Sequence, residues 1–412
     1  MLDNNRSETW NAFFRTRIDQ TQQLNILFTY RNLENLNATG QDRNDETIMG
    51  RVDWSGTFFE RAIQSELTYN LANSRELRRE FIFIQVPNGE GTHTWRDDNG
   101  DGVQDLNEFY IAINTDEKNY AKIFVPTDTY EEAFNTNISY RLRMRAPSKW
   151  KTEEGLKKFL SNLSNNTSWT LNSKITDDNL GTRLLPLNVS EESLLSSRES
   201  LRSTVFYKPT QSIFAADFGI SQFINRQLLI NGFESVNNKD IRTHVRWSIN
   251  RRTNLDVNYI NGKRASNSDV LTQRRYLIES DSYQPSVSWQ PSNTIRLTGA
   301  FSFKDKRNAF SDVSDEWSRI NEMSLDVRYS KAGKTTLNGT FRLVDIDFMG
   351  DENSPAGYEL LEALRPGQNY TWNFNIQQKL GNGLQLLIRY DGRKSGNNAA
   401  IHVGRVQVSA LF

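Results

Sequence analysis

Apolar and polar residues alternate along most of this chain, and a period of two dictates strands with one apolar and one wet face. From Thr243 the order is THVRWSIN, so Val245, Trp247 and Ile249 share one face and His244, Arg246 and Ser248 the other. Ile48, Gly50, Val52, Trp54, Gly56 and Phe58 face away from Arg51, Asp53, Ser55 and Thr57 in the same manner. Leu255, Val257 and Tyr259 repeat the pattern, as do Met323, Leu325, Val327 and Tyr329, then Tyr370, Trp372, Phe374 and Ile376, then Leu384, Leu386, Ile388 and Tyr390. About 17 such segments can be counted. They fall near 8–18, 22–33, 46–58, 62–86, 132–146, 164–176, 198–208, 212–233, 238–250, 253–263, 273–289, 293–304, 319–331, 334–346, 368–380, 383–393 and 398–412.

Length separates two architectures that share this pattern. Most segments exceed the ordinary globular strand of ~5–6 residues, and a tilted strand needs ~9–11 residues to cross a hydrocarbon core. The connections fall into two classes. Short ones are 19–21, 59–61, 209–211, 251–252, 290–292, 332–333 and 381–382; longer polar ones are 34–45, 87–131, 177–197, 234–237, 264–272, 305–318 and 347–367. Short turns at one rim and long loops at the other belong to bacterial outer-membrane barrels, whose closed strands satisfy every backbone group inside lipid. A soluble β-sandwich explains the alternation but neither the strand length nor the two loop classes. The expected fold over 1–412 is therefore an all-β, antiparallel transmembrane β-barrel of about 17–18 or more strands with long extracellular loops.

Composition agrees and excludes other classes. Fifty basic and 50 acidic side chains cancel, which leaves no electrostatic footprint for nucleic acid. The chain has no cysteine, so disulfides, thiolate metal sites and thiol nucleophiles are all excluded. No run of ~18 apolar residues exists for a membrane helix.

The last strand, RVQVSALF, places Val406, Val408, Ala410 and Phe412 on one face. An ending in Phe resembles the terminal signal of outer-membrane proteins delivered to the barrel-assembly machinery. Residues 82–176 carry HTWRDDNGDGVQDLNEFYIA, YAKIFVPTDTYEEAFNTNISY and APSKWKTEEGLKKFLSNLSNNTSW. This region resembles large Bacteroidota-type outer-membrane barrel proteins of unassigned role. The resemblance implies a cell-envelope location and supplies neither a catalytic residue nor a substrate. Barrels keep both termini periplasmic. Counting strands back from Phe412 starts the first segment outside, so the chain reads as the C-terminal part of a longer precursor. Its start, MLDNNRSETW, also lacks the basic and apolar regions of a signal peptide.

One loop carries a chemical motif. Residues 97–108, DDNGDGVQDLNE, fit D-x-[DN]-x-[DN]-G-x5-E. Asp97, Asn99 and Asp101 occupy positions 1, 3 and 5, Gly102 the sharp turn, the Val103 carbonyl position 7, Asp105 position 9 and Glu108 position 12. Hard oxygen donors around one turn suit a structural Ca²⁺, which would order the extracellular loop 87–131. The alternative is a solvated Asp/Asn/Gly turn. The extended look of Phe81–Val86 and Phe109–Ile113 removes the usual flanking helices but not the local ligand set.

Other groups carry weaker signals. Of His93, His244 and His402, none pairs with a nucleophile by spacing; Ser409 and His402 share one strand too far apart to touch. A hydrolase is thus the minor expectation. Arg141, Arg143 and Arg145 form a row on the polar face. It reads as a wall neutralised by carboxylates such as Asp217, Asp256, Asp326 and Asp391, or else as an anion-selecting ring. Residues 148–163 form the one helical patch, with Trp150, Leu156, Phe159, Leu160 and Leu163 at helical spacing; a packed connector is expected, a membrane-surface helix being the alternative. Phe81, Ile82, Phe83 and Ile84 must be covered by loops or a partner. The expected role is non-enzymatic: an outer-membrane channel, surface scaffold or envelope-complex subunit. Its partners would be outer-membrane lipid, the assembly machinery and other envelope proteins at the long hairpins, with no nucleic acid. A plug-gated, ligand-specific transporter is the competing class.

Overall fold

The computed structural model describes residues 5–35, 44–177, 179–187, 189–208, 213–229, 232–268, 274–310, 315–381 and 383–410. All of the alternating segments are strands. They are β1 (Asn5–Arg17), β2 (Gln22–Asn35), β3 (Asn44–Phe58), β4 (Ile63–Gln85), β7 (Tyr120–Arg145), β8 (Leu163–Ile175), β9 (Leu194–Tyr207), β10 (Phe214–Leu229) and β11 (Gly232–Asn250). The series continues with β12 (Thr253–Ser268), β13 (Tyr276–Trp289), β14 (Ile295–Asn308), β15 (Trp317–Lys331), β16 (Thr335–Met349), β17 (Gly367–Lys379), β18 (Leu384–Ser395) and β19 (Ile401–Ala410). Among the described residues, two short strands lie inside the loop that follows β4, β5 (His93–Trp95) and β6 (Phe109–Ile111). Among the described residues three short α-helices sit in connections: α1 (Leu156–Ser161), α2 (Leu180–Leu184) and α3 (Pro355–Leu360). No helix among the described residues is long and apolar enough to cross a membrane.

Contacts divide the chain into two compact units. The first comprises residues 1–80, 126–207 and 219–239; the second comprises 81–125, 208–218 and 240–412. In the first, β1–β2–β3–β4 and β7–β8–β9 run as antiparallel neighbours, with an irregularity at Lys174/Ile175. In the second, β12 to β19 form an unbroken antiparallel meander.

Burial in the second unit is inverted relative to a water-soluble sheet. Register places Phe301 beside Met323, Met323 beside Leu343, and Leu325 beside Phe341. Met323 is 60% exposed, Leu325 50% and Phe341 46%, whereas the Glu322 and Lys304 side chains on the opposite face keep 15% and 17%. Val406 and Val408 of β19 are also exposed. An apolar face turned outward along strands of this length needs hydrocarbon, not water, around it. The fold is therefore all-β and antiparallel, of the transmembrane-barrel class.

Packed cores occur instead where strands run into long loops. In the first unit Phe134, Ile175, Leu194 and Phe233 cluster with Val189, and the Arg183 guanidinium lies 3.7 Å from the centre of the Phe134 ring. In the second unit Ile320, Val344, Ile346 and Leu361 cluster with Phe348 and Leu364. Register puts Ile320 opposite both Lys304 and Ile346, on the polar side of the sheet. The polar side thus becomes apolar at its end, where α3 covers it.

Several expected boundaries need correction. Residues 120–131 belong to β7, so the loop expected at 87–131 ends at Asn119. Residues 234–237 lie within β11, and the loops expected at 264–272 and 305–318 lose residues to β12, β14 and β15. Polar residues conceal these extensions, because strands that outrun the hydrocarbon need no alternation there. Phe81 and Phe412 lie outside the residues whose side chains are described.

Candidate functional site

The acidic loop folds as a tight coil around its own carboxylates. Asp97 accepts from the backbone N–H groups of Gly100 (2.7 Å), Asp101 (3.1 Å) and Gly102 (3.0 Å), while Asp101 accepts from Val103 N–H (2.7 Å). Asn99 accepts from Asp101 N–H at 2.9 Å and its amide donates to Asp101 at 3.0 Å. Gly100 and Gly102 take φ of +75° and +72°, a conformation in which a side chain would be strained. Glu108 is fully buried and accepts from the Trp95 indole N–H (2.8 Å) and from Asp98 and Asp105 N–H (both 3.3 Å). Oxygens of Asp97, Asp101 and Glu108 all lie within 4.8 Å of one another. The expected ligands therefore converge on three carboxylates. Asn99 stands beside them, the Val103 carbonyl accepts from Asp105 N–H at 3.2 Å, and Asp105 opens the short turn Leu106–Glu108. The donor set is hard oxygen throughout and fits a divalent cation such as Ca²⁺.

The loop has its own packing, which its sequence did not reveal. Phe109 stacks on Phe83 with centroids 4.1 Å apart and meets Tyr120 edge-on at 5.0 Å. Phe83 is thus covered, whereas Ile82 and Ile84 stay exposed. Tyr110 packs on Tyr358 of α3 at 5.4 Å, forming a buried cluster with Ala363. Its hydroxyl donates to Asp98. Burial pushes Tyr110 up and, against that hydrogen bond, also raises the Asp98 carboxyl. Arg96 donates to the Glu352 carbonyl (2.9 Å) and to Asn353 (3.2 Å), and lies over the Tyr358 ring at 5.3 Å.

Ion pairs then fasten this cover to the strands. Arg393 of β18 reaches Asp116 at 2.7 Å and Glu117 at 2.9 Å, with all three side chains less than a quarter exposed. Glu362 bridges Lys304 (2.8 Å) and Lys306 (2.9 Å). Burial opposes its ionisation, yet the two lysines outweigh burial and hold its carboxyl down to about 2. Glu362 and Ala363 both take positive φ, +52° and +60°, so the end of α3 is strained and the lysine bridge holds it. In β5, burial, with Lys122 and Arg274 nearby, lowers His93 to about 4.

Beneath residues 113–116 lies a cavity of about 230 Å³, lined by Arg342, Thr371, Asn373, Asp391 and Arg393 among others. No sequence motif marks Arg393, Glu362, Lys304 or Lys306. A usable signal existed: Ile320, Val344 and Ile346 are apolar residues on an otherwise polar face, as a site needs where something docks.

His244 lies between Asp217 (2.8 Å) and Asp256 (3.0 Å), one on each ring nitrogen, so neither nitrogen is left for a nucleophile. Asp326 accepts from Thr340 at 2.5 Å. The helical patch is no packed connector: Leu156 is 72% exposed and Phe159 51%.

No protein-family model matches the sequence, and no curated protein matches it. Solved structures do resemble the chain. The FrpB iron transporter from Neisseria meningitidis shares 11% identity at TM-score 0.42, covering 95% of this chain and 60% of that one. The siderophore receptor PirA from Acinetobacter baumannii shares 8% at TM-score 0.42, over 98% and 64%. The outer-membrane expressed OmpT of Vibrio cholerae shares 10% at TM-score 0.33, over 91% and 97%. This chain spans less than two thirds of the length of the first two. The outward apolar faces of its own long strands set its place in the bacterial outer membrane.

Proposed function

We propose that the chain is the wall of a non-enzymatic solute channel whose outer mouth carries a calcium-ordered cover, residues 87–119 docked on 351–366. The observation that carries this reading is Arg393, which ties Asp116 and Glu117 of the cover to β18 in partly buried ion pairs. Surface decoration alone needs no such anchor, because ion pairs in open water contribute little. Ca²⁺ would be held by Asp97, Asn99, Asp101, the Val103 carbonyl, Asp105 and Glu108, and would offset the converging carboxylates. The likeness of residues 82–176 supports a Bacteroidota-type lineage. Envelope proteins at the long hairpins and the assembly machinery are the proposed partners.

The test is conductance of the purified protein in planar bilayers. Chelator should raise the open fraction, and calcium should restore the closed one. Identical conductance in calcium, in chelator and after Asp101→Asn with Glu108→Gln would overturn the gated reading.

A ligand-specific transporter is the second reading, favoured by the cavity under residues 113–116, where Arg342 and Asp391 supply opposite charges. Saturable binding of a small zwitterionic solute, lost in Arg342→Ala, would select it.

A further inference from the structure

At one end of the first unit the connections 18–21 and 59–62 are tight turns, bonded to each other's strands through Thr57 N–H and the Thr21 carbonyl (2.9 Å). The connection 146–162, between β7 and β8, is a long exception at the same end. Its place there is fixed by Arg145 N–H donating to the Ala62 carbonyl (2.7 Å) and by Lys149 reaching Glu60 (2.8 Å). It contains a short 3₁₀ turn, Ser148–Thr152, followed by α1.

This end presents apolar side chains to the outside. Leu156 is 72% exposed and Phe159 51%, one helical turn apart on α1, although Phe159 also touches Tyr207 at 6.0 Å. Phe59 is 75% exposed at the neighbouring turn. Phe59, Glu60 and Arg61 take φ of +51°, +56° and +68°, three successive non-glycine residues in the left-handed region. Such a run is costly and persists where the fold holds it. Cations surround the apolar groups: Lys149, Lys151, Lys157 and Lys158 against only Glu153 and Glu154 in the connection. Lys157 keeps an exposed contact with Glu153 (3.4 Å), which water screens.

From these observations we propose that Phe59, Leu156 and Phe159 insert into the interfacial layer of the periplasmic leaflet, with Lys151, Lys157 and Lys158 on anionic phospholipid headgroups. Apolar side chains bordered by lysines fit that boundary, because lysine stems lie along apolar surface while their heads reach phosphate. The occupant is taken to be lipid rather than a second protein because Met144 of β7 and Val205 of β9, in one cross-strand row next to this connection, also expose apolar side chains, which the membrane-wall reading places at the bilayer edge. The net positive charge of the connection matches an anionic headgroup layer. This inference rests on the reading of the chain as a membrane wall.

The chain has no cysteine, which makes site-directed labelling unambiguous. Phe159→Cys, Phe341→Cys and Ser292→Cys would each carry a nitroxide in the full chain, reconstituted in pure phosphatidylcholine vesicles and in vesicles containing phosphatidylglycerol. The label at 341 reports the wall, and the label at 292, in a tight turn, reports water. The expected result is a label at 159 that favours relaxation by oxygen over an aqueous nickel complex, shifting further toward oxygen with phosphatidylglycerol. Lys151→Glu, Lys157→Glu and Lys158→Glu together should abolish that lipid-dependent shift while heat-modifiable migration is retained. A label at 159 as open to nickel as the one at 292, with 341 still buried in lipid, would overturn this proposal alone. A label at 159 shielded from both relaxers in both vesicles would also overturn it, because protein would then be the cover. A label at 341 open to nickel would overturn the membrane wall itself.

Discussion

Glu362 and His93 give the loop 87–119 and its seat two acid-sensitive points with separate windows. The Glu362 carboxyl titrates near 4.5 when free and about 2 in the fold, because Lys306 and Lys304 outweigh burial. Its stabilisation is complete above pH 4.5 and disappears as pH falls toward 2. His93 titrates near 6.5 when free and about 4 in place, so the fold favours the neutral ring. Stability is full above pH 6.5 and declines as pH falls through 4. Limited proteolysis of residues 87–119 along a pH series should therefore rise in two steps. Glu362→Gln should remove the lower step and His93→Gln the upper one; a single step unchanged by both would refute the assignment. Glu108 is the other decisive residue. Glu108→Ala strands the Trp95 indole N–H and two backbone N–H groups, at about 1–3 kcal/mol for each donor left unpaired. Asp101→Asn with Glu108→Gln should make cutting between Pro87 and Asn119 insensitive to calcium and chelator, whereas the unaltered loop should be protected by calcium.

Among the elements, the cover and the segment 351–366 act together. Arg393→Ala leaves Asp116 and Glu117 partly buried without a cation, a loss on the order of 3 kcal/mol. Hydrogen exchange should then quicken in 109–119 and in α3 while β14–β17 stay protected. Unchanged exchange in α3 would separate the two segments. Ile320→Ala tests the same docking from below. Ile320 is fully buried against Val344, Ile346 and Leu361, and its truncation should cost about 2–5 kcal/mol. An equally drastic change outside, Met323→Ala, removes a side chain that is 60% exposed and faces lipid. It should leave the cover intact, and protease resistance of the two variants compares them directly.

For the whole molecule, the inverted burial predicts behaviour in detergent. The protein should fractionate with outer membranes and migrate faster unheated than boiled, since paired strands resist detergent until heated. Recovery as a detergent-free soluble monomer would contradict the outward apolar faces. Chain-wide register matters as much. A one-residue slip of β15 against its neighbours would turn Met323 and Leu325 onto the side of Lys304 and turn Glu322 outward. Charge would then enter lipid, which penalises the slip and makes register well specified.

What the sequence by itself determined is whatever a strand or a loop settles with its near neighbours. Alternation placed every long strand because the pleat repeats every two residues whatever lies across the sheet. The acidic loop was legible for the same reason: Asp97, Asn99, Asp101 and Glu108 lie within one short stretch, and glycine marks its turns. The strand ends at 120–131 and 234–237 are not legible, because polar residues there carry no period. Only the tertiary structure decided that Arg393 meets Asp116, that Glu362 bridges two lysines of β14, and that His244 is held from both sides. Those partners come from separate elements, joined by strand register and loop docking. Solvation and pairing energies there depend on distance in space, and no local pattern in the chain records that distance.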